Sequence, residues 1–131
     1  MRGSLKAYKS VAVSSQKDVA SPYRMVQMLL AGALERLARA KSAMEQNQPA
    51  QKGELIGSAL AIVAELQAAL DVDAGGDIAA NLDNLYDFAA RELMQANSEN
   101  SVERLESAAG VLREIKAAWD AIPADQQEVP A

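Results

Sequence analysis

Apolar residues recur every three or four positions in four separate segments, and this spacing limits the possible fold more than any other feature. In the first segment the repeat consists of Val26, Leu30, Ala33, Leu37, Ala40 and Met44. Side chains spaced in this way lie along one face of a helix. Aromatic residues, which favour strands, make up only 4% of the chain. The sequence therefore predicts packed helices rather than a β-sandwich.

Residues that start or break helices give approximate bounds for these four segments. Ser21 is a good N-cap, and Pro22 suits the first helical position because its missing N–H would be unpaired there. Asp77 follows two glycines and is expected to cap the third helix, and Asn100 is expected to open a capping box for the fourth. Pro123 ends the last segment. The predicted helices cover about 22–44, 49–70, 78–97 and 101–122.

Short connections between long helices make sequential neighbours antiparallel. We therefore predict an all-α fold, an antiparallel up-down-up-down four-helix bundle with a short N-terminal leader helix and a disordered C-terminal tail. The predicted division is a leader or lid at 1–20, the bundle at 21–122 and the tail at 123–131.

The composition argues against an enzyme. The chain has no cysteine and no histidine, which removes thiolate chemistry, the usual general base near neutral pH and the commonest metal ligand. Three aspartates, Asp71, Asp73 and Asp77, lie close together, but their spacing does not follow the twelve-residue calcium loop. We expect no catalytic residue, no cofactor and no metal, and we favour a solvated loop for these aspartates.

Charge and hydropathy also restrict the partners. The chain has a net charge of −5 and therefore lacks the basic surface that nucleic-acid binding requires. No segment reaches the roughly 18 uninterrupted apolar residues of a membrane span, and no signal peptide is recognisable. The sequence predicts a cytoplasmic protein with no direct membrane insertion and no nucleic-acid partner.

The first half of the first helix is apolar over more of its circumference than one packing face requires. The surplus side chains are Met25, Met28 and Leu29. Methionines fill cores, but their flexible side chains also suit surfaces that accept helical ligands, so both interpretations stay open. The leader carries apolar residues that would cover such a surface as a removable lid, namely Leu5, Tyr8, Val11 and Val13.

Several short motifs follow one another in a characteristic order along nearly the whole chain. The leader contains Leu5-Lys6-Ala7-Tyr8 and Val11, and the first helix contains Val26-x-Met28-Leu29-x-x-Gly32-Ala33. The longest run is Gly75-Gly76-Asp77-Ile78-Ala79 followed by Asn81-Leu82-x-x-Leu85-Tyr86-Asp87-Phe88. In this order the motifs resemble the flagellin-specific export chaperones, the FliS family of flagellar secretion chaperones. The sequence departs from the family at Ala31 and Ser58, where many relatives have Asp and Lys.

The resemblance implies a function that composition alone does not supply. Members bind the disordered C-terminal segment of flagellin in the cytoplasm, prevent its premature polymerisation and aid its delivery to the flagellar type III export gate. The implied partners are flagellin and the export-gate protein, and we expect a monomer or weak homodimer. The alternative is a self-associating helical-bundle adaptor whose surplus apolar strip is a dimer seam.

Partner-binding residues are predicted from the leader, the surplus strip and the third-helix motif. They are Leu5, Tyr8, Val11, Met25, Met28, Leu29, Leu82, Leu85 and Tyr86. Core packing is the alternative role for Leu82 and Leu85, and a hydrogen-bonded hydroxyl at the bundle edge is the alternative for Tyr86.

Overall fold

Four long helices make up nearly all of the described part of the chain. The computed structural model describes residues 21–126, and the predictions for the leader and for residues 127–131 lie outside that range. The helices are α1 (Pro22–Glu45), α2 (Pro49–Ala68), α3 (Val72–Glu99) and α4 (Val102–Asp120), followed by a short 3₁₀ helix, Ala124–Gln126. The predicted all-α class is confirmed.

The helices form an antiparallel ring. Each helix packs against the next in sequence, and α1 also packs against α4. Near the start of α1, the Gln27 side chain donates to Asp120 at the end of α4, with a distance of 2.8 Å from Nε2 to Oδ1. Near the start of α2, Lys52 Nζ donates to the carbonyl of Asn97, 3.1 Å away, near the end of α3. These contacts join the beginning of one helix to the end of another, as the predicted up-down-up-down order requires.

Most of the core is built from the predicted apolar repeats, and Tyr86 belongs to it as well. Leu30, Leu37, Ile56 and Leu93 are among the largest fully buried side chains. Tyr86 is also fully buried, so the alternative role considered for it, a hydroxyl at the bundle edge, is wrong. Its hydroxyl has a hydrogen-bonding partner. Burial of this polar group therefore costs little free energy, because buried polar groups destabilise a fold mainly when they are unpaired.

The fourth helix begins one residue later than the predicted capping box. Asn100 adopts a left-handed conformation, with φ of 52°, and ends α3. Ser101 is the N-cap of α4, because its Oγ accepts a hydrogen bond from the backbone N–H of Arg104 at 3.1 Å. Asn tolerates left-handed backbone better than most residues. The expected role of Asn100 as the N-cap of α4 is therefore wrong. Asn100 is the C-cap of α3, and Ser101 is the N-cap of α4.

The third helix begins earlier than predicted. Asp71 caps it, since its Oδ1 accepts from the backbone N–H of Ala74 at 3.1 Å. A break follows at Gly76, whose φ of 54° and ψ of −130° are not helical. Glycine takes such a conformation without steric cost. The expected loop at the glycine pair is thus a kink inside α3, with Asp77 directly after it.

Candidate functional site

An open apolar groove runs between α3 and α4. Its volume is about 300 Å³. The side chains that line it are Ile78, Asn81, Leu82, Leu85, Val111, Glu114, Ile115, Ala118 and Trp119. Most of these are aliphatic or aromatic, which is the usual composition of a surface that receives another apolar segment.

Helical spacing explains why these side chains meet. On α3, Ile78, Leu82 and Leu85 are separated by four and three residues and therefore share one face. On α4, Val111 and Ala118 are seven residues, or two turns, apart and lie on the facing side. Ile78 remains 39% exposed, although it is one of the large apolar side chains of the bundle. The two helices therefore leave part of their apolar seam open to solvent.

Trp119 forms one wall of the groove and is fixed from behind by α1. Its ring stacks on Tyr23 with centroids 5.6 Å apart and planes 13° from parallel. Its Nε1–H donates to the backbone carbonyl of Tyr23 at 2.9 Å in a buried hydrogen bond. Tyr23 lies in the first turn of α1. The start of α1, where residues 1–20 join the bundle, is thus held directly behind the groove wall.

A polar cluster fastens the same end of the bundle. Asp120 accepts from Gln27 at 2.8 Å and from Lys116 Nζ at 2.6 Å. The hydrogen bond from Lys116, and after it the one from Gln27, holds the pKa of Asp120 below its ordinary value. The carboxylate is therefore stabilised in its charged form, and its charge is balanced within the cluster.

The other end of the α3–α4 seam is closed by ion pairs. Arg104 Nη1 lies 2.7 Å from Glu92 Oε2, and Arg104 Nε lies 3.3 Å from Glu99 Oε1. The Arg104 hydrogen bond lowers the pKa of Glu92 from its usual value. The seam is therefore apolar and open near Trp119 and polar and closed near Arg104.

The predicted site residues fall in three places. Leu82 and Leu85 line the groove, and both also pack against the core. Tyr86 is fully buried, so a partner reaches it only if the helices move. Leu5, Tyr8 and Val11 lie outside the described residues.

The predicted strip on α1 is separate from the groove. Met25 and Leu29 are half-buried and Met28 is 50% exposed. Met25 and Leu29 share their face of α1 with Gly32 and Arg36 by helical spacing. That face lies against α2: a Cβ added at Gly32 would come within 3.7 Å of the Ile62 side chain, and Arg36 Nε donates to Ser58 at 2.6 Å. The structure therefore does not bring the α1 strip and the α3–α4 groove into one surface.

Several groove residues were not predicted as a site. Ile78, Ile115 and Trp119 lie in the apolar repeats of the third and fourth segments, and none of them was among the predicted partner-binding residues. Val111 and Ala118 lie beside the main repeat of α4 at an interval of seven residues. This second apolar line on α4 is the signal that would have indicated a wider apolar face.

The described range carries neither a metal-binding cluster nor a membrane-spanning helix. Within residues 21–126, no three acidic side chains gather as a metal site would require. Over the same range, no helix combines the length and hydropathy needed to cross a bilayer.

A small helical bundle with an open apolar groove has the architecture of proteins that receive an amphipathic helix. Comparison with known proteins places it in a family. Residues 4–126 match the family model described as flagellar protein FliS. The flagellar secretion chaperone FliS of Vibrio cholerae is 50% identical over 131 residues, covering 100% of this chain and 96% of the relative.

Two further relatives agree with this assignment. The flagellar secretion chaperone FliSB of Pseudomonas aeruginosa is 42% identical over 118 residues, 90% of this chain and 94% of the relative. The FliS protein of Salmonella typhimurium is 41% identical over 119 residues, 90% of this chain and 88% of the relative. This chain belongs to the FliS family of flagellar secretion chaperones. Its general role is that of a chaperone in flagellar export, and its partners are proteins of that process.

Proposed function

We propose that this chaperone binds the disordered C-terminal segment of flagellin in the cytoplasm, keeps it from polymerising and delivers it to the export gate. The observation that carries this proposal is the open apolar groove between α3 and α4. A segment that packs against neighbouring subunits in a filament needs an apolar face. The groove offers that face a substitute partner before export.

The binding mode follows from the dimensions of the groove. From Ile78 to Leu85 the helix rises about 10 Å, at 1.5 Å per residue. The groove therefore takes about two turns of a client helix. A disordered segment that orders on binding can extend farther over the surface. Met25, Met28 and Leu29 are proposed as contacts for another part of the same segment.

Coupled folding explains how binding stays reversible without nucleotide. Ordering the client consumes part of the interaction free energy, so the net affinity is lower than the buried area suggests. Release then requires only a competitor for the client's apolar face, such as the export-gate protein. No covalent step is needed.

We also propose that residues 1–20 act as a lid, with Leu5, Tyr8 and Val11 contacting the apolar surface until the client arrives. The chain enters the bundle at Ser21, two residues before Tyr23, which stacks against the groove wall. The leader is therefore attached to the bundle, through Ser21, at the end where the groove lies.

Calorimetric titration with the C-terminal segment of flagellin tests the proposal. We expect saturable binding with a large negative heat-capacity change, because apolar surface is buried and the segment folds. A scrambled segment of the same composition is the control and should not bind. The same titration with residues 1–18 removed should show altered affinity if the leader is a lid. Absence of binding, or binding without a heat-capacity change, would contradict coupled folding in an apolar groove.

A further inference from the structure

Two polar side chains interrupt the apolar lining of the groove, and neither is used by the bundle itself. They are Asn81 on α3 and Glu114 on α4. Within residues 21–126, Glu114 forms no ion pair and Asn81 no side-chain hydrogen bond. Both are exposed, so water solvates them while the groove is empty.

Among the described residues, four carboxylates on α3 and α4 pair with cations, whereas Glu114 does not. Glu92 and Glu99 pair with Arg104. Glu106 pairs with Lys41 at 3.7 Å and with Arg113 at 3.2 Å, and Asp120 pairs with Lys116. Glu114 is the carboxylate that lines the groove, and it forms no ion pair within residues 21–126.

The surroundings of the groove add negative charge. Asp77 lies four residues before Asn81 on the same face of α3 and is exposed. Asp77 also forms no ion pair with any residue of the range 21–126. The groove therefore combines an apolar floor with a negative rim.

A purely apolar occupant would leave Glu114 partly desolvated without a partner, which costs free energy. A Lys or Arg beside the apolar face of the occupant avoids this cost. Its aliphatic stem lies along apolar surface while its charged end reaches the carboxylate. An acidic residue at the same place would be rejected by like charge.

From this geometry we infer that Glu114 and Asn81 determine specificity, selecting a client helix that carries a Lys or Arg next to its apolar face. The inference rests on the proposed function and names the chemistry of the client helix that the groove accepts. Glu114 pairs with the cation, and the Asn81 amide hydrogen-bonds a polar group on the other side of the same helix. Apolar contacts supply most of the affinity, and the rim charge sets the position and orientation of the helix.

Glu114→Gln tests the inference because it keeps the side-chain shape and removes the charge. The probe is the C-terminal segment of flagellin, titrated by calorimetry. At about 50 mM salt we expect the substitution to weaken binding about two- to fivefold, and at about 500 mM salt we expect the difference to disappear. Glu65→Gln is the matched control, since Glu65 is an exposed carboxylate on α2, away from the groove. It should leave the affinity unchanged at both salt concentrations.

A double-mutant cycle identifies the cation. Each Lys and Arg of the segment is replaced by Gln and titrated against wild-type chain and Glu114→Gln. One position should lose its effect on affinity when Glu114 is already neutral.

The outcomes separate the two proposals. If wild-type chain binds the segment but Glu114→Gln behaves like Glu65→Gln, and no cation of the segment is coupled to Glu114, the specificity inference is wrong and the proposed function stands. If the wild-type chain does not bind the segment, both are wrong. Circular dichroism melting of both variants excludes unfolding as the cause of any loss.

Discussion

Ile78→Asp is expected to weaken binding of the flagellin C-terminal segment at least about tenfold while the bundle remains folded. Ile78 lines the groove and is 39% exposed, so an Asp at this position stays hydrated in the free chaperone. On binding, its carboxylate would be covered by the apolar face of the client without a partner. A desolvation cost of about 1.4 kcal/mol or more gives the tenfold loss.

The substitution Ile78→Asp should leave the fold intact because of where Ile78 lies in α3. Ile78 lies two residues after the break at Gly76, near the start of the long part of α3. Negative charge near a helix N-terminus is favourable. A loss of affinity in this variant therefore reports the groove rather than a damaged helix.

Two matched variants decide which surface the client uses. Met94→Asp places the same charge on α3 outside the groove, at a side chain that is 53% exposed, and we expect no change in affinity. Met28→Asp places it on the α1 strip, where we expect a smaller loss than at Ile78. A large loss for Met28→Asp with none for Ile78→Asp would show that the client binds α1 and not the α3–α4 groove.

Trp119→Ala is expected to lower the free energy of unfolding by about 3–5 kcal/mol, the usual range for removing a buried aromatic side chain. The substitution removes the stack on Tyr23, the buried hydrogen bond to the Tyr23 carbonyl and one wall of the groove. Urea unfolding followed by circular dichroism measures the effect. Binding of the flagellin segment should also fall, because the groove loses its wall.

Trp119→Phe distinguishes the contribution of the stacked ring to stability from that of the Nε1–H hydrogen bond. Phenylalanine keeps an aromatic ring against Tyr23, but it cannot donate the hydrogen bond that Trp119 Nε1–H gives to the backbone carbonyl of Tyr23. We expect a loss of about 0.5–1.5 kcal/mol, the usual net contribution of one hydrogen bond, because the Tyr23 carbonyl lies in the first turn of α1 and keeps its hydrogen bond within the helix. Met94→Ala, at an exposed position, should change stability by less than about 0.5 kcal/mol. Equal stabilities of wild type and Trp119→Ala would mean that this contact does not hold α1 to α4.

Helix periodicity was sufficient to predict the architecture, and local backbone chemistry decided the helix ends. The start of α1 was predicted because Ser21 and Pro22 both favour it, and Ser21 accepts from Arg24 as expected. The start of α3 was missed because two adjacent glycines are more typical of a loop than of a kinked helix. Asp71 provides the actual cap.

The groove could be predicted only in part. Periodicity identifies the face of a helix that is apolar, but it does not show how closely two neighbouring helices approach. The surplus strip on α1 is partly covered because its face packs against α2, whereas the surplus on α3 and α4 stays open. Leu82 and Leu85 were therefore named from sequence as partner-binding candidates, while the groove that they line with Val111 and Ala118 required the packed bundle.

Methyl NMR with labelled isoleucine and methionine tests most directly whether the client lies in the α3–α4 groove. On titration with the C-terminal segment of flagellin, we expect the methyl signals of Ile78 and Ile115, which line the groove, to shift most. The Met94 signal, outside it, should stay in place. Shifts at Met94 or Met28 with unchanged signals from Ile78 and Ile115 would contradict a client helix seated between α3 and α4.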